Sequence, residues 1–299
     1  MARRRSSSST GRLRSGRLYF FTKQVADLSC MLDATTVCAM SICRESFWIQ
    51  RRSGKRESTS MCPAKFARTR HFTQGLIIKE MIKMHSIKPQ DGAVTSPCLF
   101  RLMDKYLSIV PDKFEDEEKQ QRYIKTVPSH DQLRKEVGDL KSALTCLEMP
   151  IVFCHNDNLL ANIIFNEQKG KISFIDYEYA AFNYQAYDIG NHFCEFAGVE
   201  EVDYNLYPNK EFQMKWLQEF LTAQNEANSV EKKVTERDVE SLYVIVNKFA
   251  LASHMFWGIW ALVQSHHSTI DFDFLEYSKL RLDEYLRRKD AFLALTLPQ

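Results

Sequence analysis

The sequence predicts an α/β fold: a largely helical body built around a small set of strands. Residues 151–154 and 162–165 are short β-branched or aromatic runs flanking a polar loop, and 171–175 follows a turn containing Gly170. On either side, apolar residues recur at helical spacing in several segments. With 299 residues and 44% hydrophobic content, the chain is long enough to bury a sizeable core in one or two domains.

The net charge of +2 hides an asymmetry. Residues 1–70 hold 15 Lys or Arg against 4 Asp or Glu, and the rest hold 25 against 34, giving +11 and −9. Two pieces are expected: residues 1–69, basic, Ser/Arg-rich and poorly ordered, and residues 70–299, the folded body. The Arg- and Ser-rich start, whose first acidic residue is Asp27, also resembles a mitochondrial transit segment, although it lacks a clean amphipathic period. A nucleic-acid arm would need a fold motif behind it, and none is evident, so no nucleic-acid partner is expected. No uninterrupted apolar run approaches the roughly 20 residues that cross a bilayer. The eight cysteines form no C-x-x-C pair and no zinc spacing, which points to reduced thiols in a cytoplasmic protein.

Residues 28–48 contain apolar residues without a sustained period, and Arg51, Arg52, Lys55 and Arg56 follow. From His71 the pattern becomes helical, with Phe72, Leu76, Ile77, Met81 and Met84 on one face ending near His85. A short helix is expected over 99–107, ahead of Pro111, and a charged, solvated stretch over 112–121. Ser129 is the expected N-cap of a helix to about Leu147, with Leu133, Val137, Leu140 and Leu144 as its buried stripe. Later helices are expected over 187–196, 211–225 and 272–288, and from a Thr235-to-Asp238 capping box to about Gln264.

The chemistry concentrates between residues 151 and 198. Phosphoryl transfer needs a carboxylate to take the acceptor's hydroxyl proton and oxygen ligands for magnesium on the nucleotide phosphates. The H-x-D-x-x-x-x-N spacing of His155, Asp157 and Asn162 supplies both: Asp157 as base, Asn162 as one magnesium ligand, and Asp176, one hairpin later, as the second. Asp157 and Asn162 would also suit an ordinary turn, and Asp176 a strand end; their order and context favour the phosphotransfer assignment. Glu178 would reach the metal only as an outer partner.

The run 174–199, FIDYEYAAFNYQAYDIGNHFCEFAGV, resembles the signature of the choline/ethanolamine kinase family along its whole length. Residues 195–199, 202–208 and 249–260 are more similar to ethanolamine kinases than to choline kinases. The resemblance covers roughly residues 70–299. It implies a protein-kinase-like fold, mainly the helical C-terminal lobe with a small catalytic hairpin. The implied reaction is transfer of the ATP γ-phosphate to ethanolamine with Mg2+, in phosphatidylethanolamine synthesis. Asp188 is then expected to brace the catalytic loop, with His155 as structural support; as an alternative Asp188 is an ordinary helix cap.

On the long helix His254, Trp257 and Trp260 share one stripe, and two indoles there could face an ammonium ion, with Glu195 as the acid beside them. Periodicity alone would make the tryptophans core. The resemblance instead places the aminoalcohol pocket at Trp257 and Trp260, at Glu195, and at Tyr204 and Tyr277. Asn158 departs from the apolar residue usual there.

In the family, a small sheet lobe with a glycine-bearing turn and a strand lysine covers the phosphates. The only glycines before residue 71 here are Gly11, Gly16 and Gly54 and the only lysines Lys23, Lys55 and Lys65, none in such a pattern. That lobe is expected to be replaced or missing, and turnover by this chain alone to be slow. Alternatives are a non-catalytic partner of a full-length kinase and a choline-preferring enzyme, and a homodimer stays open. A metal hydrolase using His155, Asp157, Asp176 and His192 lacks the ligand set of a zinc site. A protein kinase is disfavoured by Asn156 in place of arginine, by Asp-Tyr-Glu in place of Asp-Phe-Gly and by the missing Ala-Pro-Glu.

Overall fold

The structure, a computed structural model, describes residues 63–90 and 95–299. The expectations for the basic leader, the transit segment and the phosphate-covering lobe fall on residues outside these. Described in order are α1 (Pro63–His85), α2 (Leu99–Ile109), α3 (Glu117–Thr126), α4 (His130–Thr145), β1 (Ile151–Cys154), β2 (Ile163–Asn166), β3 (Lys171–Phe174), β4 (Ala181–Tyr184), α5 (Gln185–Cys194), α6 (Lys210–Ala227), α7 (Glu236–His267) and α8 (Phe274–Leu293).

Most boundaries follow the chemistry of the chain ends. Ser129 and Gln132 form a full capping box ahead of α4, whose four expected stripe residues are all buried. Thr235 and Asp238 do the same for α7. Helix α1 starts at Pro63, before the first periodic residue, at a position where a missing N–H is tolerated. Helix α3 lies where a solvated stretch is expected. It carries one buried residue, Tyr123, so no stripe announces it; the Asp116 cap and the contact of Tyr123 with Phe114 hold it.

The strands pair differently from a simple hairpin succession. β2 and β3 form the expected antiparallel hairpin, with Ile163 opposite Phe174. β1 instead pairs with β4, Cys154 opposite Ala181, a strand hidden within the polar-aromatic run after Asp176. Both strands that feed the polar loop are thereby anchored, one in each two-stranded sheet.

Helix α7 is the core. Its residues 249–265 are all buried, and it packs against α2, α4, α5, α6 and α8. Among the described residues it is the one helix long and apolar enough to cross a bilayer, and its apolar stretch is enclosed by those neighbours. Gly190 lets α5 approach it backbone to backbone: a Cβ there would stand 2.9 Å from the Val246 carbonyl oxygen and 3.0 Å from the Ala250 nitrogen.

Gly190→Ala should therefore lower Tm by the overpacking cost of about 1–3 kcal/mol. Gly138→Ala, in α4 with nothing within 4 Å of a Cβ, should instead stabilise by about 0.5–1 kcal/mol through helix propensity. Thermal melts of the two variants should move in opposite directions; equal shifts would show that α5 and α7 do not meet at Gly190.

Candidate active site

The loop between β1 and β2 is held by a single buried carboxylate. Asp188, in the first turn of α5, accepts from the backbone nitrogens of His155 (3.3 Å) and Asn156 (2.8 Å). It also accepts from the His85 Nε2 at 2.9 Å, from the last turn of α1. Burial alone would raise its pKa, but the His85 bond and the charges and amides around it hold the carboxyl below the usual carboxylate range. Asp188 thus spends its oxygens on the loop and on His85, and not on its own helix end.

Two residues of the loop system adopt left-handed backbones, Asn156 at φ 65° and Asp176 at φ 64°. Asn and Asp are the non-glycine residues that reach this region at least cost. Asn156 is clamped there: its Nδ2 donates to the Tyr179 carbonyl at 2.8 Å, and its Oδ1 accepts from Asn183 Nδ2 at 2.8 Å. His155 closes the gap to the next strand. Its Nε2 lies 3.0 Å from the Ile175 carbonyl, which can only accept, so Nε2 carries the proton. Burial holds its pKa below the ordinary value, and the ring is neutral at pH 7.

These bonds converge on the predicted phosphotransfer residues. Asn162 Nδ2 donates to the Asp157 carbonyl at 2.9 Å and to its Oδ2 at 3.2 Å. The Asn162 carbonyl accepts from Ile175 N at 3.0 Å, one residue before Asp176. Asp157 and Asn162 are 2% exposed, and Asp176 and Glu178 are half-buried. With its nitrogen turned to Asp157, Asn162 keeps its oxygen as a hard donor. The Asp176 and Glu178 carboxylates are oxygen donors as well, the kind of ligand that would suit Mg2+. His192 does not join it; its Nδ1 donates to the Asn158 carbonyl at 3.1 Å. His85, Cys154 and Asp188 also bring three ligand atoms within 4.8 Å of one another. Asp188 is committed to its three donors, and burial pushes the Cys154 thiol well above its ordinary pKa.

The aromatic group adjoins this loop through Tyr179. Its hydroxyl accepts from Trp260 Nε1 at 2.9 Å, and its ring packs edge-on to Trp257 at 5.2 Å. Trp257 and Trp260 meet edge to face at 5.3 Å. Both indoles and Tyr277 are buried, and Tyr204 is half-buried. Glu195 is not a solitary acid. Arg281, 1% exposed, donates to its Oε1 at 3.0 Å, while Glu195 Oε2 has no hydrogen-bond partner among the described residues. Arg281 also donates to Ser253 Oγ at 2.8 Å. Tyr179, His85, Asn191, Ser253 and Arg281 are absent from the sequence-derived set. The i, i+4 spacing of Tyr277 and Arg281 is the one signal that could have found the arginine.

The model of the choline/ethanolamine kinase family matches residues 67–286. The chain belongs to that family. It is 47% identical over 224 residues to mouse ethanolamine kinase 1, an alignment covering 75% of this chain and 62% of that one. It is 49% identical over 238 residues to a probable ethanolamine kinase of Nematostella vectensis, covering 79% and 67%. Among solved structures, the Plasmodium vivax ethanolamine kinase superimposes with a TM-score of 0.65 at 28% identity, covering 77% of this chain and 63% of that one. The fold is that of the protein-kinase-like small-molecule kinases. The chain spans between half and two thirds of the length of these curated relatives.

Two measurements check the site's electrostatics. Asn158 is fully buried and neither end of its amide has a hydrogen-bond partner among the described residues, so Asn158→Leu should stabilise by about 1–3 kcal/mol. A lower Tm would mean that the amide is satisfied. His155, His192 and His254 all have pKa values lowered from the ordinary 6.5, first by burial. Below about pH 6.5 the unfolded chain takes up protons that the folded one refuses, so their contribution is complete above that pH and is lost as pH falls through the lowered folded values. Tm at pH 5.5 should lie below that at pH 7.5; a flat profile would contradict the burial of neutral rings.

Proposed function

We propose that this chain is an ethanolamine kinase that transfers the ATP γ-phosphate to the ethanolamine hydroxyl. The observation that carries the proposal is the junction at Tyr179. One tyrosine, three residues after Asp176, touches both indoles of the predicted aminoalcohol site. That contact supports reading Asp157 and Asp176 as the phosphotransfer residues and Trp257 and Trp260 as a cation site beside them, as transfer to an amino alcohol requires. The names of relatives 45–49% identical to this chain support ethanolamine over choline.

In this proposal Asp157 accepts the hydroxyl proton as the oxygen attacks, and Asn162 holds its carboxylate in place. Asn162 and Asp176 would hold Mg2+, with Glu178 as an outer partner; the ion supplies charge neutralisation on the phosphates. The indoles of Trp257 and Trp260 and the carboxylate of Glu195 orient the ammonium end, with Tyr204 and Tyr277 beside them. Buried thiols at Cys98, Cys154 and Cys194, none in a disulfide, suit a cytoplasmic location.

The test is an ATP- and magnesium-dependent phosphorylation assay with ethanolamine and choline side by side. Ethanolamine should be the better substrate. Asp157→Ala should lower kcat by about 10²–10⁴-fold, the usual worth of a general base, and Asp176→Ala should abolish turnover, both with Tm unchanged. Near wild-type turnover in either variant would overturn the assignment. Trp257→Ala should raise KM for ethanolamine and leave KM for ATP unchanged; a loss of Tm with unaltered KM would return the indoles to the core.

A further inference from the structure

We propose that Asn191 is a positioning residue of the aminoalcohol site, its side-chain oxygen tying the Trp257 indole to the Glu195–Arg281 ion pair. This rests on the ethanolamine-kinase assignment and names a residue for which that assignment gives no role.

Asn191 is fully buried on α5. Its Oδ1 lies 2.8 Å from Trp257 Nε1 and 2.7 Å from Ser253 Oγ. The direction of every bond is fixed by chemistry. Arg281 can only donate, so Ser253 Oγ accepts from it and must turn its own proton to Asn191. An indole N–H can also only donate, so two donors meet at position 191 and the oxygen must face them. The result is one continuous chain, from Glu195 through Arg281, Ser253 and Asn191 to Trp257.

The spacing makes this a bridge between two helical segments. Asn191 and Glu195 are one turn apart, as are Ser253 and Trp257, and side chains four residues apart share a face. Gly190 brings the two backbones close enough for short side chains to span the gap. The Asn191 Nδ2 has no hydrogen-bond partner among the described residues, so the residue serves there as an acceptor. A carboxylate would accept as well, but it would place a second buried negative charge beside Arg281 in competition with Glu195. A neutral acceptor holds the indole and leaves the ion pair intact. Loss of Asn191 therefore releases both the ring and the acid that face the ammonium.

The experiment is steady-state kinetics and calorimetric ethanolamine binding on the full chain and three variants, with Tm recorded for each. Asn191→Leu should raise KM and Kd for ethanolamine about tenfold, the factor that losing about 1.4 kcal/mol of buried hydrogen bonding converts to. kcat and KM for ATP should be unchanged. Asn191→Asp keeps the acceptor but sets a second buried negative charge in competition with Glu195 for Arg281, so it should also raise KM and Kd for ethanolamine. Ser253→Ala removes the bonds to Asn191 and Arg281 but leaves Asn191 bonded to the Trp257 indole, so it should give a smaller rise, and it decides the matter if Asn191→Leu does not fold. Unchanged ethanolamine affinity in the folded variants, whatever their Tm, would overturn the proposal while leaving the kinase assignment standing. Failure of the unsubstituted chain to bind or phosphorylate ethanolamine would overturn both.

Discussion

The Asp188 carboxylate is the constraint on which the site's architecture depends. It is buried, ionised and bonded to three donors from two other parts of the chain, so removing any one donor would leave part of a charge unmet in a low-dielectric interior. The two amides it accepts from belong to the residues preceding Asp157, one of them in a left-handed conformation. That strain persists because the surroundings over-determine it: Asp188, Tyr179 and Asn183 each fix a different atom of Asn156. The loop's backbone is thereby fixed by the protein's own side chains, as the phosphotransfer proposed for it would require.

The second half of the site follows a similar logic with the opposite charge. Arg281 is buried against Glu195, Ser253 and Tyr277, and burial would lower its pKa were the acid and hydroxyls beside it not holding it above its ordinary value. Arg281 occupies one Glu195 oxygen, and the other has no hydrogen-bond partner among the described residues. Edge-to-face contacts set the angles among Tyr179, Trp257 and Trp260, so ring orientation is fixed on more than one side.

Much of this was legible in the sequence. The spacing of His155, Asp157 and Asn162 and the placement of Asp176 carry the loop. The caps at Ser129 and Thr235 carry the helix starts, because these signals are local and depend on side-chain chemistry at fixed offsets. The parts that were not legible are nonlocal. β4 has no alternation of its own and exists because β1 needs a partner. Helix α3 lacks a stripe because it buries one residue. Arg281 and Asn191 look like a surface cation and a helix polar residue until the packing of α5, α7 and α8 turns them inward. Sequence pattern reports a side chain's neighbours along the chain, and these roles arise from neighbours across it.

Amide hydrogen exchange on Asp188→Asn tests directly whether one carboxylate holds the loop that carries Asp157. The substitution keeps the size of the side chain and removes its charge and one acceptor. The amides of His155 and Asn156 should exchange much faster than in the unsubstituted chain while those of α7 keep their protection, the signature of local opening. Unchanged protection at both loop amides would contradict the account, because it would mean the loop holds its conformation without the Asp188 clamp.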